Sequence, residues 1–253
     1  RAHPSSVTFA TISIMRIGNK TSARNILVTG ASTGIGQATA VAFAGKKNKI
    51  YLTARNLDAL KTTAKMVTQA GGEPVVIPAD LNKFGDITSL AEKIDKIDII
   101  ANIAAIWHTP GKVLAGIDYQ NFSQEEIVST MNVGITGPML LIRYLLPKMA
   151  PGSKIVNLSG TFENGAKGWL PYYVSKKALE EFTIGLSQEL INKHIQVNCV
   201  SPSDTLTSSY RKFFPKYATL DQCITPEEVA QKILNLCDPD STLTGQIVVV
   251  KKS

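Results

Sequence analysis

Tyr172 and Lys176 are the residues whose types and spacing point most directly to chemistry. Apolar residues recur after them at three- and four-residue spacing, and this period predicts a helix that begins near Pro171. On that helix the two side chains lie one turn apart on the same face. An ammonium group beside a phenol lowers the pKa of the tyrosine toward the range useful for proton transfer. The alternative at this point is that both side chains are simply solvated.

A glycine-bearing turn is the second chemical feature. Residues 25–29 form a short apolar run that reads as a buried strand, and a helical run follows from Ala38 to Ala44. The turn between them reads Thr29-Gly30-Ala31-Ser32-Thr33-Gly34-Ile35-Gly36. Glycines let the backbone approach a pyrophosphate, and the helix start offers free N–H groups. This context favours dinucleotide binding over a turn that is merely tight.

The elements that must position these features alternate between strand and helix. Further strands are predicted at 49–53, 73–78, 97–101, 154–158, 195–200 and 245–250, with helices at 57–69, 125–149 and from Pro171 onward. The 125–149 helix is expected to bend at Gly134 or at Gly137-Pro138, and residues 203–224 are expected to be irregular. Thr225-Pro226-Glu227-Glu228 is typical of a helix start. The pattern predicts an α/β fold of three layers, with a doubly wound, mainly parallel seven-stranded sheet and helices on both faces.

Composition limits the classes of function. The 253 residues are 44% hydrophobic and 19% charged, which is ordinary for a globular protein, and no apolar run is long enough for a membrane span. Three scattered cysteines suit a reducing compartment and give no metal-ligand spacing, so we expect a cytoplasmic protein without a metal. The net charge of +7 comes largely from the two ends of the chain, which argues against a nucleic-acid-binding face.

Residues 1–24 and 25–253 are predicted to differ in kind. The first segment is rich in Ser and Thr, contains no acidic residue and shows no periodicity, so we expect a disordered tag or leader ahead of Met15, with a transit peptide as the alternative. Residues 25–253 are expected to form a single domain, because no linker or internal repeat interrupts them.

Together, the glycine motif, the asparagine that ends the fourth strand and Tyr172-x-x-x-Lys176 resemble the short-chain dehydrogenase/reductase family. The resemblance runs from about residue 25 to residue 250. It implies a Rossmann-type domain that binds a nicotinamide dinucleotide. Tyr173 and Lys177 share the same spacing, but the family pattern and the distance to an upstream serine select Tyr172.

The resemblance implies a catalytic tetrad of Asn132, Ser159, Tyr172 and Lys176. Tyr172 would protonate the carbonyl oxygen, Lys176 would lower the tyrosine pKa and hold the nicotinamide ribose, Ser159 would hold the substrate oxygen, and Asn132 would hold a relay water. The implied cofactor-binding residues are Gly30, Ser32, Thr33, Gly34, Ile35, Gly36, Arg55, Asp80, Leu81, Asn102, Ala104, Tyr172, Lys176, Pro202 and Thr207.

Several positions depart from the family pattern. Ser159 keeps the usual thirteen-residue distance to Tyr172, but it follows Asn157 by two residues where many members have three, and Gly160 takes that other place. The Asn-Asn-Ala-Gly motif reads Asn102-Ile103-Ala104-Ala105, and the usual Pro-Gly reads Pro202-Ser203. The chain ends Lys251-Lys252-Ser253, which puts the usual tetramer contact in doubt. A homodimer or homotetramer is expected.

The end of the second strand indicates the cofactor. NAD-preferring relatives carry an acidic residue there, whereas this chain has Ala54 followed by Arg55. A guanidinium pairs well with a 2′-phosphate, so the prediction is NADP(H) rather than NAD(H). In the alternative, Arg55 stacks on adenine and discriminates little.

The substrate is expected to be a small carbonyl compound or alcohol. Trp107, His108, Trp169, Tyr173 and a lid at 203–217 are candidate pocket residues, and aromatic lining favours an apolar or ring-bearing compound. The lid also holds Arg211, Lys212 and Lys216, which would suit an acidic substrate or a carrier protein. The expected function is an NADP(H)-dependent ketone reductase or secondary-alcohol dehydrogenase. The alternatives are a 3-oxoacyl-thioester reductase and a cofactor-binding regulator with weak turnover.

Overall fold

The structure, a computed structural model, describes residues 23–162 and 165–252, except for the side chain of Lys46. Seven strands form one sheet in the order β3-β2-β1-β4-β5-β6-β7, and every pair of neighbouring strands is parallel. The strands are β1 (Asn25–Thr29), β2 (Lys49–Thr53), β3 (Glu73–Val76), β4 (Ile97–Asn102), β5 (Met149–Leu158), β6 (Gln196–Pro202) and β7 (Ile247–Val250). The chain reverses its direction of travel across the sheet between β1 and β4, and a crevice forms at that switch point.

Helices cover both faces of the sheet. They are α1 (Gly34–Ala42), α2 (Leu57–Gln69), α3 (Phe84–Glu92), α4 (Gln124–Met131), α5 (Gly137–Leu145), α6 (Leu170–Glu189), α7 (Ser208–Phe213) and α8 (Pro226–Leu236). Strand residues alternate between two cores: Ile26 and Val28 pack against α1, α2 and α8, whereas Leu27 packs against α3, α5 and α6. The predicted three-layer, doubly wound α/β fold is confirmed, with a fully parallel sheet.

Several boundaries differ from the prediction. Strand β5 begins at Met149 rather than at residue 154, β3 ends at Val76, and β6 extends to Pro202. The early part of β5 contains Pro151 and Gly152, which carry no strand signal in the sequence. Its pairing with β4 supplies the order there, since Met149 aligns with Ile97. The register between the two strands then shifts before Ile99, and this irregularity accommodates the extra residues.

The helical segments were predicted unevenly. The bend expected within 125–149 is present as a π-helical turn, Asn132–Thr136, between α4 and α5. Helix α8 begins with a capping box in which Thr225 and Glu228 bond to each other's backbone N–H groups, as predicted. Helix α7 lies inside the segment predicted to be irregular, and α3 was not predicted. Six residues of α7, rich in aromatics, are too few to show a helical period.

The predicted leader segment, residues 1–24, lies outside the described residues except for Ala23 and Arg24. The Arg24 side chain donates to the backbone oxygen of Cys237 at 2.7 Å, and its backbone N–H donates to Asn48 Oδ1 at 2.9 Å. Arg24 therefore packs on the domain and does not belong to the predicted leader. Within the described ranges, each helix is too short or too polar to cross a bilayer.

Candidate active site

Helix α6 carries Tyr172 and Lys176 on one face, as their spacing predicts. Lys176 Nζ lies 5.5 Å from the centroid of the Tyr172 ring. The lysine is 1% exposed, and Nζ donates a hydrogen bond to the backbone oxygen of Leu158 at 2.6 Å. Leu158 ends β5, so this bond fixes the lysine at the carboxyl edge of the sheet. An ammonium has three donors, and two of them stay available for other partners.

The pKa shifts of this pair differ from the prediction. Burial raises the pKa of Tyr172 above its ordinary value, although we predicted that Lys176 would lower it. Burial also lowers the pKa of Lys176 to about 8, against the opposing effect of nearby Cys199 and Glu180. Loss of solvent around the phenol and the ammonium is therefore the main cause of both shifts. A phenol in this environment stays protonated at neutral pH and is able to donate a proton.

The hydroxyl of Ser159 is bonded inside the fold. The residue is 2% exposed, and its Oγ donates to Glu180 Oε1 at 2.6 Å on the buried side of α6. A hydroxyl has one proton, so this bond uses the donor that a substrate oxygen would need. The prediction that Ser159 holds the substrate oxygen is therefore not supported by the geometry. The other spacing, counted from Asn157, selects Gly160, which has no hydroxyl.

Gly160 is the residue that follows Ser159. A Cβ on Gly160 would lie 3.8 Å from Phe162 Cε2 and 3.9 Å from the Pro202 oxygen, which are ordinary contact distances. The ring of Phe162 in turn lies 5.8 Å from that of Tyr172, measured between centroids. There is consequently space for a side chain at Gly160 next to the rings that surround the candidate acid.

Asn132 opens the π-helical turn between α4 and α5. Its Nδ2 donates to Asn82 Oδ1 at 2.9 Å, which ties the turn to the loop after β3. The turn packs directly on α6, because a Cβ on Gly134 would lie only 2.5 Å from Ser175 Oγ. Asn132 and Gly134 belong to the same turn, and Gly134 packs on Ser175, the residue that precedes Lys176. The arrangement brings Asn132 to the same region as the predicted acid and lysine.

The glycine turn after β1 faces the loop after β4. Gly30 has φ of +67°, and a Cβ there would lie 2.9 Å from Ala104 Cα, so both the backbone angle and the close approach require glycine. The N–H groups of Ile103 and Ala104 donate to Thr29 Oγ1 at 2.9 and 3.1 Å. In the described part of the chain, no side chain caps the start of α1, and its first turn has no acidic residue. Its N–H groups suit a phosphate.

Asn102 lies at the switch point between β1 and β4. Its Nδ2 donates to Asn157 Oδ1 at 3.0 Å, and Asn157 Nδ2 donates to Thr183 Oγ1 at 2.9 Å. Asn102 Oδ1 is buried and has no hydrogen-bond partner among the described residues. The chain of amides links β4, β5 and α6 and leaves one acceptor next to the glycine turn, so this oxygen fits a ligand that donates from hydroxyl groups.

The other predicted cofactor residues line the same sheet edge. Arg55 is exposed just after β2, and β2 is joined to the glycine turn by a bond from Ala31 N to Thr53 O of 3.1 Å. Within residues 23–162 and 165–252, no carboxylate forms an ion pair with Arg55. Thr207 approaches the turn from the opposite side, because a Cβ on Gly34 would lie 3.0 Å from its methyl group. A cavity of about 400 Å³ between α1 and α8 is lined in part by Gly34 and Thr207.

The remaining candidates also keep their predicted places. Ser32, Thr33, Ile35 and Gly36 belong to the turn and the start of α1, Asp80 and Leu81 follow β3, and Pro202 ends β6. Asp80 Oδ1 accepts a bond from the Asn82 N–H at 3.1 Å. The Asn82 side chain is the acceptor for Asn132, so the loop after β3 connects the predicted adenine-side residues to the predicted tetrad.

Aromatic rings form a continuous wall from the loop after β4 to Tyr172. Trp107 stacks on Phe214 with centroids 6.2 Å apart, Phe214 lies 5.9 Å from Trp169, and Trp169 lies 6.1 Å from Tyr172. His108 packs edge-on against Trp107 at 4.4 Å, and its Nδ1 lies 3.0 Å from the Thr109 oxygen. Three of the predicted pocket residues, Trp107, His108 and Trp169, are therefore brought together in this aromatic wall.

The lid segment is attached to this wall. Lys212 Nζ donates to the backbone oxygen of Pro110 at 2.8 Å, which joins α7 to the loop after β4. Arg211 and Lys216 are exposed. Tyr173, the other candidate tyrosine, packs on Phe162 with centroids 4.9 Å apart. One of the three basic residues of the lid is thus used in holding the lid, and the other two face outward.

Glu180 is the residue of the site region that sequence reasoning missed. It lies one turn after Lys176 and two turns after Tyr172, so the same spacing that found the pair also places Glu180 on their face. The buried carboxylate accepts bonds from Ser159, Ser201 and Lys177. An acidic residue on the buried face of a helix was the signal for it.

Comparison with known proteins gives the class. A family model described as enoyl-(acyl carrier protein) reductase matches residues 30–252. The chain is 32% identical over 239 residues to the uncharacterized oxidoreductase YgfF of Escherichia coli (strain K12), covering 88% of this chain and 96% of that protein. The chain therefore belongs to the short-chain dehydrogenase/reductase family, as its motifs predicted, and it is an oxidoreductase with a Rossmann-type fold.

Two further relatives have more specific names. Ketoacyl reductase HetN of Nostoc sp. (strain PCC 7120) is 30% identical over 220 residues, covering 83% of this chain and 74% of that protein. The solved structure of the angucycline C-6 ketoreductase LanV with bound NADP is 25% identical and superposes with a TM-score of 0.80, covering 89% of this chain and 93% of that one.

Proposed function

We propose that the protein is an NADP(H)-dependent reductase of ketones, or a dehydrogenase of the matching secondary alcohols, with Tyr172 as the general acid and base. The observation that carries the proposal is the pairing of Tyr172 and Lys176 on α6, 5.5 Å apart from ring centroid to Nζ, at the sheet edge that also holds the glycine turn. The bound NADP seen in the LanV structure supports the cofactor.

The residues fit a nicotinamide dinucleotide in three places. The turn from Gly30 and the uncapped start of α1 would hold the pyrophosphate, and Arg55 would pair with the 2′-phosphate of NADP(H). The buried Asn102 Oδ1 supplies an acceptor at the switch point. When bound, the reduced nicotinamide supplies the hydride for the carbonyl carbon.

The protein's own groups manage the proton. As the carbonyl carbon gains a hydride, the electron pair of the C=O bond moves to oxygen, and the neutral Tyr172 phenol donates its proton there. Burial keeps that phenol protonated, which suits the reductive direction. Lys176, held by the Leu158 oxygen, would stabilise the resulting phenolate with its positive charge, and Asn132 would connect the lysine to solvent through a water.

The aromatic wall supports a ring-bearing ketone as substrate. Flat rings on Trp107, Phe214 and Trp169 favour offset stacking with a planar ligand, and the wall ends at Tyr172, where the carbonyl must lie. A 3-oxoacyl thioester is the second candidate, since Arg211 and Lys216 are exposed on the lid and HetN is named a ketoacyl reductase. We also propose a homodimer or homotetramer that associates through α4, α5 and α6.

A regulator with weak turnover is the candidate from another class. One specific observation favours it: the hydroxyl of Ser159 is bonded to Glu180, so the site lacks the serine donor that the family pattern leads one to expect. The retained Tyr172, Lys176 and Asn132 favour the enzyme, because a cofactor-binding regulator has no chemical need for all three.

The test is an assay of a panel of planar ketones, small ketones and 3-oxoacyl thioesters. The loss of NADPH absorbance measures turnover of each compound. We expect the planar ketones to be reduced fastest, and Tyr172→Phe to lower turnover by at least about a hundredfold while leaving NADPH affinity nearly unchanged. Tyr173→Phe is the matched control, since it removes a neighbouring phenol with the same spacing to a lysine. Turnover that survives in Tyr172→Phe would refute the assignment, and no turnover across the panel would favour the regulator.

A further inference from the structure

Glu180 is a buried carboxylate that belongs to no role described above. It is 7% exposed, and both of its oxygens accept hydrogen bonds. Oε1 accepts from Ser159 Oγ at 2.6 Å and from Ser201 Oγ at 3.2 Å, whereas Oε2 accepts from Lys177 Nζ at 2.8 Å. Burying a carboxylate is costly unless it is well bonded, and three donors from three elements meet that requirement.

The bonds of Glu180 connect α6 to the strand ends that form the site. Ser159 follows the last residue of β5, and Ser201 is the residue before Pro202, which ends β6. Leu158, next to Ser159, is the residue whose oxygen accepts the bond from Lys176 Nζ. Leu158 and Ser159 therefore bind two adjacent turns of α6. Leu158 accepts a bond from the Lys176 ammonium, and Ser159 donates one to the Glu180 carboxylate.

The charges around Lys176 leave Glu180 as its negative neighbour. On α6 the lysine is faced by Tyr172 and Glu180, with Lys177 bonded to the carboxylate, and on β6 it is faced by Cys199. Burial raises the pKa of Cys199 to about 12 and also raises that of Tyr172, so both groups are neutral near pH 7. Leu158 and Ser159 of the β5 segment do not titrate in this range. Among the described groups that face Lys176, the carboxylate is thus the anion.

We propose that Glu180 is a positioning residue that holds α6 against the ends of β5 and β6 and keeps the Lys176 ammonium charged. The inference rests on the proposed function, because it assigns Glu180 a task that acts through the lysine of that reaction. Ser159 and Ser201 hold the carboxylate in place, which accounts for the use of the Ser159 hydroxyl inside the fold. Burial alone disfavours the charged lysine, and a fixed anion one helical turn away offsets part of that cost.

Support comes from the pKa of the lysine. Burial lowers the pKa of Lys176 to about 8, and the charge of Glu180 acts in the opposite direction. Removing the carboxylate charge must therefore lower this pKa further. The ammonium is then lost at a lower pH, so turnover that needs it must begin to fall at a lower pH as well. The change is confined to the alkaline limb of the pH profile.

The experiment compares Glu180→Gln with Glu181→Gln, which neutralises the exposed next residue on the same helix. For Glu180→Gln we expect the alkaline limb of kcat to move down by about one pH unit, which lowers kcat at pH 7 by only about twofold. Glu181→Gln should match the wild type in both. Glu180→Asp keeps the charge and should restore the limb even where it lowers kcat. A purely structural role would lower kcat without moving the limb.

A second readout does not depend on turnover. The Cε resonance of ¹³C-labelled Lys176, assigned with Lys176→Arg, should titrate near pH 8 in the wild type and at least about half a unit lower in Glu180→Gln. Identical titrations in the two proteins, or identical alkaline limbs, would overturn the inference. If the wild type reduces nothing in the panel, the proposed function fails, and the titration still decides the role of Glu180. Circular dichroism spectra that match confirm that the variants compared are folded.

Discussion

At the scale of single residues, the segment Ser159-Gly160 bears on how the proposed reaction would hold the substrate oxygen. Ser159 donates to Glu180 at 2.6 Å, and Gly160 has room for a side chain beside Phe162 and Pro202. In the proposed reaction, Tyr172 would then be the main group to stabilise charge on that oxygen. A donor aimed at a developing oxyanion contributes about a hundred- to a thousandfold in rate when it is well placed. A hydroxyl introduced at residue 160 is therefore expected to raise the rate of the proposed reaction.

Exchanging the hydroxyl between the two positions tests this reading. Ser159→Ala should change kcat by less than about threefold, because it removes no contact to substrate, whereas loss of an oxyanion donor would cost about a hundredfold or more. Gly160→Ser should raise kcat by about tenfold. Gly160→Ala is the control, since it adds the Cβ without the hydroxyl. Steady-state assays of NADPH consumption give these values, and a large loss in Ser159→Ala would return the substrate-binding role to that serine.

Arg55 is the residue that should set cofactor preference. It is exposed after β2, next to the strand that bonds to the glycine turn, and it has no carboxylate partner in the described ranges. A guanidinium–phosphate pair is a charge-assisted interaction and contributes about 1.5–3 kcal/mol.

Replacing Arg55 with alanine should therefore reduce the ratio of NADPH to NADH affinity by at least about tenfold, with little change in NADH binding. Lys65→Ala removes the same charge from the exposed face of α2 and should leave the ratio unchanged. Fluorescence titration of the two reduced cofactors measures both constants. Equal losses of affinity for NADPH and NADH would instead indicate that Arg55 stacks on adenine.

At the scale of elements, the site depends on how the π-helical turn packs on α6. Gly134 is buried against Ser175, and a Cβ there would lie 2.5 Å from Ser175 Oγ, so any larger residue must push the turn away from the helix. The same turn begins with Asn132, and Ser175 precedes Lys176. Close packing at this one glycine therefore sets the distance between two members of the predicted tetrad.

Gly134→Ala should destabilise the protein by about 1–3 kcal/mol and lower kcat more than tenfold. Gly185→Ala is the matched control on α6, since a Cβ at that exposed helical position meets nothing within 4 Å. There the substitution should stabilise the protein by about 0.5–1 kcal/mol without affecting kcat. Urea unfolding followed by circular dichroism, together with NADPH assays, distinguishes them. Unchanged activity in Gly134→Ala would show that the turn does not align the site.

The elements themselves could be predicted to different extents. Short apolar runs bounded by turn residues identified the strands, because the buried interior of a parallel sheet leaves a strong local signal. Helix α7 and the early part of β5 carry no such signal, since their order comes from the aromatic wall and from pairing with β4. The direction of the Ser159 side chain depends on Glu180, twenty-one residues away, and spacing within the motif does not encode it. Contacts between distant elements account for what the sequence left open.

At the scale of the whole molecule, exposed apolar side chains lie on the helices proposed for association. Val128 on α4, Met139 on α5 and Val174 on α6 are each 43–48% exposed. Val174 lies two residues after Tyr172, so a partner bound there would pack on the helix that carries the candidate acid. Val249 on the edge strand β7 is 52% exposed and lies next to the altered terminus. The two surfaces can be tested separately.

Light scattering after size-exclusion chromatography should give a homodimer, with twice the mass of one chain. Val174→Glu places a charge on α6 and should shift the protein to monomers, because a buried unpaired carboxylate costs several kcal/mol at an interface. Val249→Glu should leave the dimer intact and prevent only a tetramer, if the wild type forms one. Since α6 also holds Tyr172 and Lys176, we expect the Val174→Glu monomer to lose turnover as well as mass. A wild type that elutes as a monomer, or a dimer that survives Val174→Glu, would place association on another surface and remove this link between assembly and the site.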